Sequence, residues 1–226
     1  MPVKSIKLAK DVMKPVRIRR KTEESLIQVS VDMNDRDPDL KKNINTRLHF
    51  FNHMIEHIAW RSLMNIKVDV KEKEYLLDHV ITEDVGLSYG TAMNRLYFRT
   101  IQERSETTGV NGMGVAISML DESMTRVAIS FEERGMFFLD VADRTSIPTL
   151  VEDVKGSDLI AFMEGFTNGA RCTLHIDLMK GRDPHHIFES IFRAFGEAMR
   201  GVFAPCSWRR GTTPGVAGNI QIDEGT

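Results

Sequence analysis

The sequence of 226 residues contains the same histidine–glutamate spacing twice, and this repetition constrains the fold more than any other feature. Residues 183–189 read DPHHIFE, and residues 78–84 read DHVITED. The first histidine and the glutamate of the later motif each lie 106 positions after their counterparts in the earlier one. Because both motifs follow comparable predicted elements, this offset indicates an internal duplication of a strand-and-helix unit.

Hydrophobic periodicity predicts a similar order of elements in both halves. In the first half it predicts strands over 25–33 and 66–70 and helices over 53–62 and from 79 to about 98, although Gly86 and Gly90 disfavour the last helix. In the second half it predicts strands over 116–119, 126–131, 136–141 and 172–178 and helices over 159–166 and 185–202. We therefore predict an α+β fold of two pseudo-symmetric halves, 18–108 and 109–218, with an N-terminal extension (1–17) and a C-terminal tail (219–226).

Charge and hydropathy argue against nucleic acid or a membrane as a partner. Thirty basic and 32 acidic residues give a formal charge of −2, so no overall field attracts a polyanion. No apolar run approaches the roughly 18–20 residues of a membrane span, and Lys and Asp interrupt the N-terminal MPVKSIKLAKDVMK. Cys172 and Cys206 lack the spacing of a disulfide framework or a zinc site. We expect a cytoplasmic protein with two reduced thiols.

Helix geometry makes each motif a candidate metal ligand pair. Residues i and i+4 share a helix face, whereas residue i+1 is turned about 100° away. His185 and Glu189 can therefore reach one point, while His186 must reach another. His79 and Glu83 form the corresponding pair in the first half. Imidazole and carboxylate suit manganese, iron or zinc. A single HxxxE is usually a solvated surface pair, but two copies in a duplicated chain are stronger evidence.

These motifs resemble those of the imidazoleglycerol-phosphate dehydratase family, whose two halves each hold an HHxxE motif. In the first half, RKTEES (20–25), FFNHMIEHIA (50–59) and EDVG (83–86) resemble the family's RxTxET, FFDHMLxQIA and EDxG. In the second half, LDESMTRVAISFEERG and TLHIDLMKGRDPHHIFESIFRAFGEAMR are similar to family segments, and the match runs in order from about residue 18 to 217. The resemblance implies a two-layer sandwich of the ribosomal protein S5 domain 2-like type.

The resemblance also implies a hydro-lyase of histidine biosynthesis that acts on a small phosphorylated imidazole. The family uses two manganese ions per active site and assembles trimers into 24 subunits, with active sites between subunits. The family has eight metal ligands, and this sequence retains six of them, namely His53, His79, Glu83, His185, His186 and Glu189. Val80 and Ala161 occupy the other two positions, and neither side chain can donate an electron pair.

How the six ligands divide between two ions follows from the resemblance. We expect His53, His185 and Glu189 to hold one Mn²⁺ that has lost the ligand at Val80. The remaining three, His79, Glu83 and His186, would hold the other Mn²⁺, which has lost the ligand at Ala161. Each site would then bind metal more weakly than a four-ligand site. If both losses fell on one ion instead, that site would be nearly empty and the other complete.

The resemblance further implies a catalytic base and a phosphate clamp. Glu24 in RKTEES matches the general base. Five residues are expected to bind substrate, namely His57, Arg134, Arg193, Thr212 and Thr213. His57 stands where the family has Gln, and Arg193 where it has Lys. Gly112 and Pro214 replace an Arg and a Lys, which could weaken phosphate binding by roughly two to four orders of magnitude. Arg209 and Arg210 either compensate or form a solvated basic turn.

Three functions remain open at the level of the sequence. The chain is a dehydratase of imidazoleglycerol phosphate, a paralogue that acts on another small imidazole or hydroxy compound, or a non-catalytic metal-binding assembly. The six retained ligands and Glu24 favour catalysis. The four replacements at Val80, Gly112, Ala161 and Pro214 favour a paralogue over a conventional dehydratase.

Overall fold

Two four-stranded sheets, one from each half of the chain, form the framework in this computed structural model, which describes residues 13–72 and 77–218. The first half contains β1 (Val16–Lys21), β2 (Ser25–Asp32), β3 (Ile44–Asn45), α1 (His49–Ser62), β4 (Asn65–Glu72) and α2 (Asp78–Glu103). The second half contains β5 (Met113–Leu120), β6 (Ser123–Ser130), β7 (Met136–Val141), β8 (Leu150–Val151), β9 (Val154–Lys155), α3 (Gly156–Ala170), β10 (Thr173–Lys180) and α4 (Pro184–Val202). Short 3-10 helices span Leu40–Asn43 and Ser207–Arg209.

The two sheets have the same topology. Their strand orders are β1-β2-β4-β3 and β5-β6-β10-β7. In each sheet the first three strands pair antiparallel, and the fourth pairs parallel to its neighbour. The predicted α+β fold of two pseudo-symmetric halves is confirmed. The predicted tail (219–226) and residues 1–12 of the predicted extension lie outside the described residues, and the half boundaries remain predictions.

Each sheet has one buried face, and the four helices lie between the sheets. Alternate residues of β2, such as Ile27 and Val29, are buried, as are Val127 and Ile129 of β6. Helix α2 packs on β1 and β2, α4 packs on β5 and β6, and the halves meet where α2 contacts α3 and α1 contacts α4. Within residues 13–72 and 77–218, no helix is long and apolar enough to cross a membrane.

Gly86 and Gly90 lie inside α2, which is one long helix although glycine disfavours helix interiors, and both have a packing role. A Cβ atom at Gly86 would overlap the carbonyl oxygen of Phe162, and one at Gly90 would overlap that of Phe166. Both oxygens belong to α3, so the glycines allow the two helix backbones to approach closely. The helix extends to Glu103, five residues beyond the predicted end. This close packing sets the first histidine motif beside the start of α3.

Strand β1 was not predicted, because its sequence VRIRRK places arginines between apolar residues. It is an edge strand that pairs only with β2 in the described part of the chain. Charged side chains are common on edge strands, since they oppose pairing with other chains. The basic composition of this segment therefore reflects its position in the sheet.

Candidate metal centre and substrate site

The DPHHIFE motif forms the first turns of α4, and Asp183 fixes where the helix begins. The Asp183 carboxylate accepts hydrogen bonds from the backbone N–H groups of His185 (2.9 Å) and His186 (3.2 Å). Pro184 follows at the first helical position, where its missing N–H leaves no bond unmade. The local sequence thus defines the helix start, and both histidines lie in its first turn.

Helix α1 is held against the same region by an acceptor from the other half of the chain. The carboxylate of Asp153, between β8 and β9, accepts hydrogen bonds from the N–H groups of His49 (2.6 Å) and Phe50 (2.9 Å). The first N–H groups of a helix have no partner within it, so Asp153 acts as a cap from a distant segment. Because α1 also packs on α4, His53 and His57 face the DPHHIFE motif.

Four side chains from α1 and α4, hereafter the α1–α4 cluster, bring their donor atoms together: His53, His57, His185 and Glu189. Glu189 Oε2 lies 3.1 Å from His185 Nε2 and 3.6 Å from His53 Nε2. Glu189 Oε1 lies 3.2 Å from His57 Nε2, which in turn is 3.2 Å from His53 Nε2. The donor atoms of His53, His57 and Glu189 all lie within 4.8 Å of one another, as ligands of a single metal ion would. His185 is not in that group of three, and it reaches the cluster through its contact with Glu189.

The charge of the cluster is set by burial and by one arginine. The Glu189 side chain is 6% exposed and contacts the guanidinium of Arg193. Burial alone would raise the pKa of Glu189, but the neighbouring His57 and Arg193 lower it below its ordinary value. Burial lowers the pKa of His57 from 6.5 to about 4. Near pH 7 the cluster therefore offers a carboxylate and a neutral imidazole, which are the protonation states that bind metal.

Each of the four predicted histidine ligands has a carboxylate near its Nδ1 atom. The pairs are His53 with Glu56 (3.7 Å), His79 with Asp158 (3.5 Å), His185 with Glu152 (3.3 Å) and His186 with Glu122 (2.8 Å). Histidines that bind metal commonly present their second ring N–H to a carboxylate, which fixes the tautomer and the ring orientation. For His185 and His186 the carboxylate lies within hydrogen-bond distance of Nδ1.

The first histidine motif lies on the surface of the chain. His79 Nε2 and Glu83 Oε2 are 3.7 Å apart, so the two residues share a helix face as predicted. Their side chains are 60% and 53% exposed. Asp158, at the start of α3, approaches the other side of the His79 ring. Among the described residues, no group of three mutually close donors includes His79, Glu83 or His186.

His186 points away from the α1–α4 cluster to the turn between β5 and β6. Its Nδ1 lies 2.8 Å from Glu122 Oε2, and Glu122 Oε1 accepts hydrogen bonds from the N–H groups of Asp183 (2.8 Å) and Arg182 (3.1 Å). The bond from Asp183, with that from His186, holds the pKa of Glu122 well below its usual range. The same carboxylate raises the pKa of His186. The helical turn of about 100° between adjacent residues accounts for the separation of His185 and His186.

Glu24, the predicted general base, lies in the turn between β1 and β2. Asp84 of α2 accepts hydrogen bonds from Arg20 Nη1 (2.6 Å) and Ser25 Oγ (3.1 Å), which tie both ends of this turn to the helix. Glu24 is exposed and donates its backbone N–H to Thr22 Oγ1 (3.1 Å). Since Asp84 is adjacent to Glu83, the turn that carries Glu24 lies beside the first motif.

The predicted substrate-binding residues occupy two ends of β5. Arg193 donates from Nη1 to the carbonyl of Met119, near the C-terminal end of the strand (3.1 Å). Arg134, Thr212 and Thr213 lie near its N-terminal end, because their neighbours in sequence contact Gly112, which precedes the strand. Phe131 donates its N–H to the carbonyl of Gly112 (3.0 Å), and a Cβ atom at Gly112 would meet Pro214. The two ends are six residues apart, which corresponds to about 20 Å along a strand. One chain therefore does not bring Arg193 together with the other three.

Gly112 and Pro214, which stand where the family has Arg and Lys, lie next to each other. Gly112 has φ of +77°, and a Cβ there would lie 2.5 Å from Pro214 Cδ and 2.6 Å from the Tyr97 hydroxyl. The pyrrolidine ring of Pro214 thus fills the space in front of Gly112. Arg209 Nη1 donates to Asn111 Oδ1 (2.8 Å) and to the Asn111 carbonyl, so its guanidinium holds the segment before β5. Arg210 is exposed.

Comparison with known proteins decides the family. A sequence model of imidazoleglycerol-phosphate dehydratase matches residues 46–199. The enzyme of that name from Thioalkalivibrio sulfidiphilus is 32% identical over 204 residues, which cover 90% of this chain and 96% of the relative. The one from Hydrogenovibrio crunogenus is 34% identical over 190 residues, 83% of this chain and 90% of the relative. The chain belongs to the imidazoleglycerol-phosphate dehydratase family.

Solved structures of imidazoleglycerol-phosphate dehydratases share its fold. The structure from Staphylococcus aureus has a TM-score of 0.67 and 22% identity, covering 85% of this chain and 99% of that one. The structure from Pyrococcus furiosus, in complex with (S)-C348, has a TM-score of 0.65 and 25% identity, covering 85% and 96%. The family fold is thereby confirmed over most of the chain.

The resemblance predicts that His57 binds substrate, because it stands where the family has Gln. The structure brings its Nε2 atom into the α1–α4 cluster. A signal was available: residues 53 and 57 are four apart on a predicted helix and so share a face. The carboxylates of Glu122, Glu152 and Asp158 had no comparable signal, because each meets its histidine through tertiary packing.

Proposed function

We propose that this chain is a metal-dependent hydro-lyase that dehydrates imidazoleglycerol phosphate, as the family name describes. The α1–α4 cluster carries the proposal. His53 comes from one family motif, and His185 and Glu189 come from another more than 130 residues later, yet Glu189 Oε2 lies 3.6 Å from His53 Nε2 and 3.1 Å from His185 Nε2. Such convergence of imidazole and buried carboxylate is expected of a metal site rather than of solvated surface pairs.

We assign one Mn²⁺ ion to the α1–α4 cluster and a second Mn²⁺ ion to the first motif. His53, His185 and Glu189 would hold one ion, and His79, Glu83 and His186 the other. Both sets combine nitrogen and oxygen donors, which suit a borderline divalent cation such as Mn²⁺. When bound, the metal supplies Lewis acidity that draws electron density from the imidazole ring of the substrate.

The chain's own residues supply proton transfer and orientation. Glu24 removes a proton from the second carbon of the glycerol chain, hydroxide leaves from the carbon attached to the ring, and the resulting enol becomes a ketone. The exposed carboxylate of Glu24 is suited to this role because its turn is fixed on α2 by Arg20 and Ser25. Arg193 orients Glu189 and is available to the phosphate.

Self-association completes the site in this proposal. The ligands of the second ion do not converge within the described part of one chain, and Arg193 lies near the opposite end of β5, a strand segment of about 20 Å, from Arg134, Thr212 and Thr213. Another copy must then supply the missing groups. The outer face of the second sheet exposes apolar side chains that such contacts could bury: Met113, Val115, Ile117, Met119, Met136 and Phe138. Trimers packed into a 24-subunit assembly are the arrangement expected from the family.

A second candidate function is a paralogue that takes a different small imidazole or hydroxy substrate. The packing of Pro214 against Gly112 and Tyr97 favours it, because this packing fills the place of two clamp cations with apolar groups. A phosphate would lose about 1.5–3 kcal/mol for each charged hydrogen bond that is not replaced. An uncharged substrate would lose nothing.

Turnover of imidazoleglycerol phosphate by the Mn²⁺-loaded protein tests the proposal. We expect formation of the ketone product, and we expect Glu24→Gln to lower kcat by about 10²–10⁴-fold with unchanged metal content. Glu23→Gln, one residue away in the same turn, is the matched control and should retain activity. Turnover of the dephosphorylated compound alone would favour the paralogue, and no turnover of either compound by a metal-loaded protein would refute the proposed dehydratase.

A further inference from the structure

The α1–α4 cluster contains one more donor than the family pattern assigns to it. By that pattern this site has three ligands, His53, His185 and Glu189, and has lost a fourth at Val80. His57 Nε2 lies 3.2 Å from both His53 Nε2 and Glu189 Oε1. It belongs to α1, so it reaches the cluster from the same chain and the same helix face as His53.

The distances between neighbouring donor atoms in the cluster are close to those between ligands of one ion. Donor atoms bonded to a common ion at about 2.1 Å lie roughly 3.0–3.4 Å apart in octahedral or tetrahedral geometry. His57 Nε2 lies 3.2 Å from His53 Nε2 and 3.2 Å from Glu189 Oε1, and His185 Nε2 lies 3.1 Å from Glu189 Oε2. The donors that all lie within 4.8 Å of one another are those of His53, His57 and Glu189. The separation between His53 and Glu189 is 3.6 Å, close to the upper limit. His57 is therefore as well placed as the family ligands.

The two oxygens of Glu189 have separate roles in this arrangement. Oε2 faces His53 and His185, whereas Oε1 faces His57 and the guanidinium of Arg193. A ligating carboxylate commonly binds metal through one oxygen and accepts a hydrogen bond on the other. Arg193 can thus stay bound to Glu189 while Oε2 serves as the ligand. The His57 side chain is only 17% exposed, which keeps its Nε2 directed at the cluster instead of at solvent.

We propose that His57 is a metal ligand that replaces the one lost at Val80, so that the mutually close donors of His53, His57 and Glu189 hold one ion within one chain, with the neighbouring His185 as the fourth ligand. This inference rests on the proposed metal dependence but not on the identity of the substrate. It also revises the division of ligands expected from the family: this site is complete without any residue of α2, whereas the site of the first motif remains short of one ligand.

Mn²⁺ binding to the metal-stripped full-length chain tests the inference, with Mn²⁺ alone as the probe. Free Mn²⁺ measured by electron paramagnetic resonance gives the affinity of each site. We expect His57→Gln, which installs the residue of the family, to weaken the tighter site by at least about tenfold, since even indirect partners of a metal site are worth 10–100-fold. His49→Gln, an exposed change two turns earlier on α1, is the control and should leave the affinity unchanged.

An unchanged affinity in His57→Gln, with a normally folded metal-free protein, would overturn the inference. If the variant does not fold, anomalous diffraction from Mn²⁺-soaked crystals of the unaltered protein decides the matter. An ion bonded to His57 Nε2 together with His53, His185 and Glu189 would support it, and an ion bonded to those three without His57 would overturn it. Loss of turnover on imidazoleglycerol phosphate with intact His57-dependent binding would instead refute only the proposed function.

Discussion

The two histidine motifs have the same spacing but different surroundings, and the difference shows what spacing alone can specify. In both, the histidine and glutamate share a helix face. The α4 copy is covered by α1, and its Glu189 side chain is 6% exposed; the α2 copy lies open, and its Glu83 side chain is 53% exposed. Helical periodicity thus places one histidine and one glutamate on a common face, whereas packing against a second helix adds further donor side chains.

The helix starts differ in the same way. Asp183 caps α4 with its side chain, whereas Leu77 precedes α2 and makes no side-chain cap. The position of α2 instead depends on its contact with α3 through Gly86 and Gly90. The α4 copy is therefore fixed by its own sequence, and the α2 copy by its neighbours in the fold.

Gly86→Ala should have the largest effect on this comparison. The added methyl group overlaps the α3 backbone at Phe162, so we expect a loss of about 1–3 kcal/mol in the free energy of unfolding. Metal binding at the α1–α4 cluster should change less than about twofold, because α1 and α4 are untouched. Urea denaturation and Mn²⁺ titration measure the two effects. Arg95→Ala, exposed on the same helix, is the control and should cost less than about 0.5 kcal/mol. Equal loss in both variants would show that the close approach of α2 and α3 contributes little.

Asp183→Ala should have an intermediate effect. It removes the acceptor for the His185 and His186 N–H groups, and we expect a loss of about 1 kcal/mol in the free energy of unfolding. Leu77→Ser is the reciprocal change, because it offers α2 the cap that it lacks and should add about 0.5–1 kcal/mol. Both are measured by denaturant unfolding. No gain from Leu77→Ser would mean that the start of α2 does not limit the stability of this half.

In the metal-free protein, His57 and His186 should change the pH dependence of the free energy of unfolding in opposite directions. The folded pKa of His57, about 4, lies below its ordinary value of 6.5, so the unfolded state takes up a proton first as the pH falls. The free energy of unfolding should therefore decline between about pH 6.5 and 4, and less so in His57→Gln. The pKa of His186 is raised by Glu122, so its contribution is present below the unfolded pKa and is lost as the pH rises through the folded pKa. Urea midpoints from pH 4 to 8 measure both. A His57→Gln curve parallel to that of the unaltered chain would contradict the first assignment.

Periodicity and spacing predicted the fold class, the helices that carry both motifs and the shared faces of His79 with Glu83 and of His185 with Glu189. These features depend on residues close in sequence, where helix geometry applies directly. The role of Gly86 and Gly90 was beyond prediction, since a glycine that weakens an isolated helix can be required where two helices meet. The carboxylates of Glu122, Glu152 and Asp158 were also missed, because segments distant in sequence bring them to the histidines.

A Mn²⁺ titration of the metal-stripped chain, compared with Glu189→Gln and Glu83→Gln, tests most directly whether the two copies differ as metal sites. The α1–α4 cluster has four proposed ligands, and the site of the first motif has three, namely His79, Glu83 and His186. This difference predicts two classes of Mn²⁺ affinity separated by about tenfold or more. Glu189→Gln should abolish the tighter class and Glu83→Gln the weaker one. Two equal sites, or loss of the tighter class in Glu83→Gln, would contradict the account.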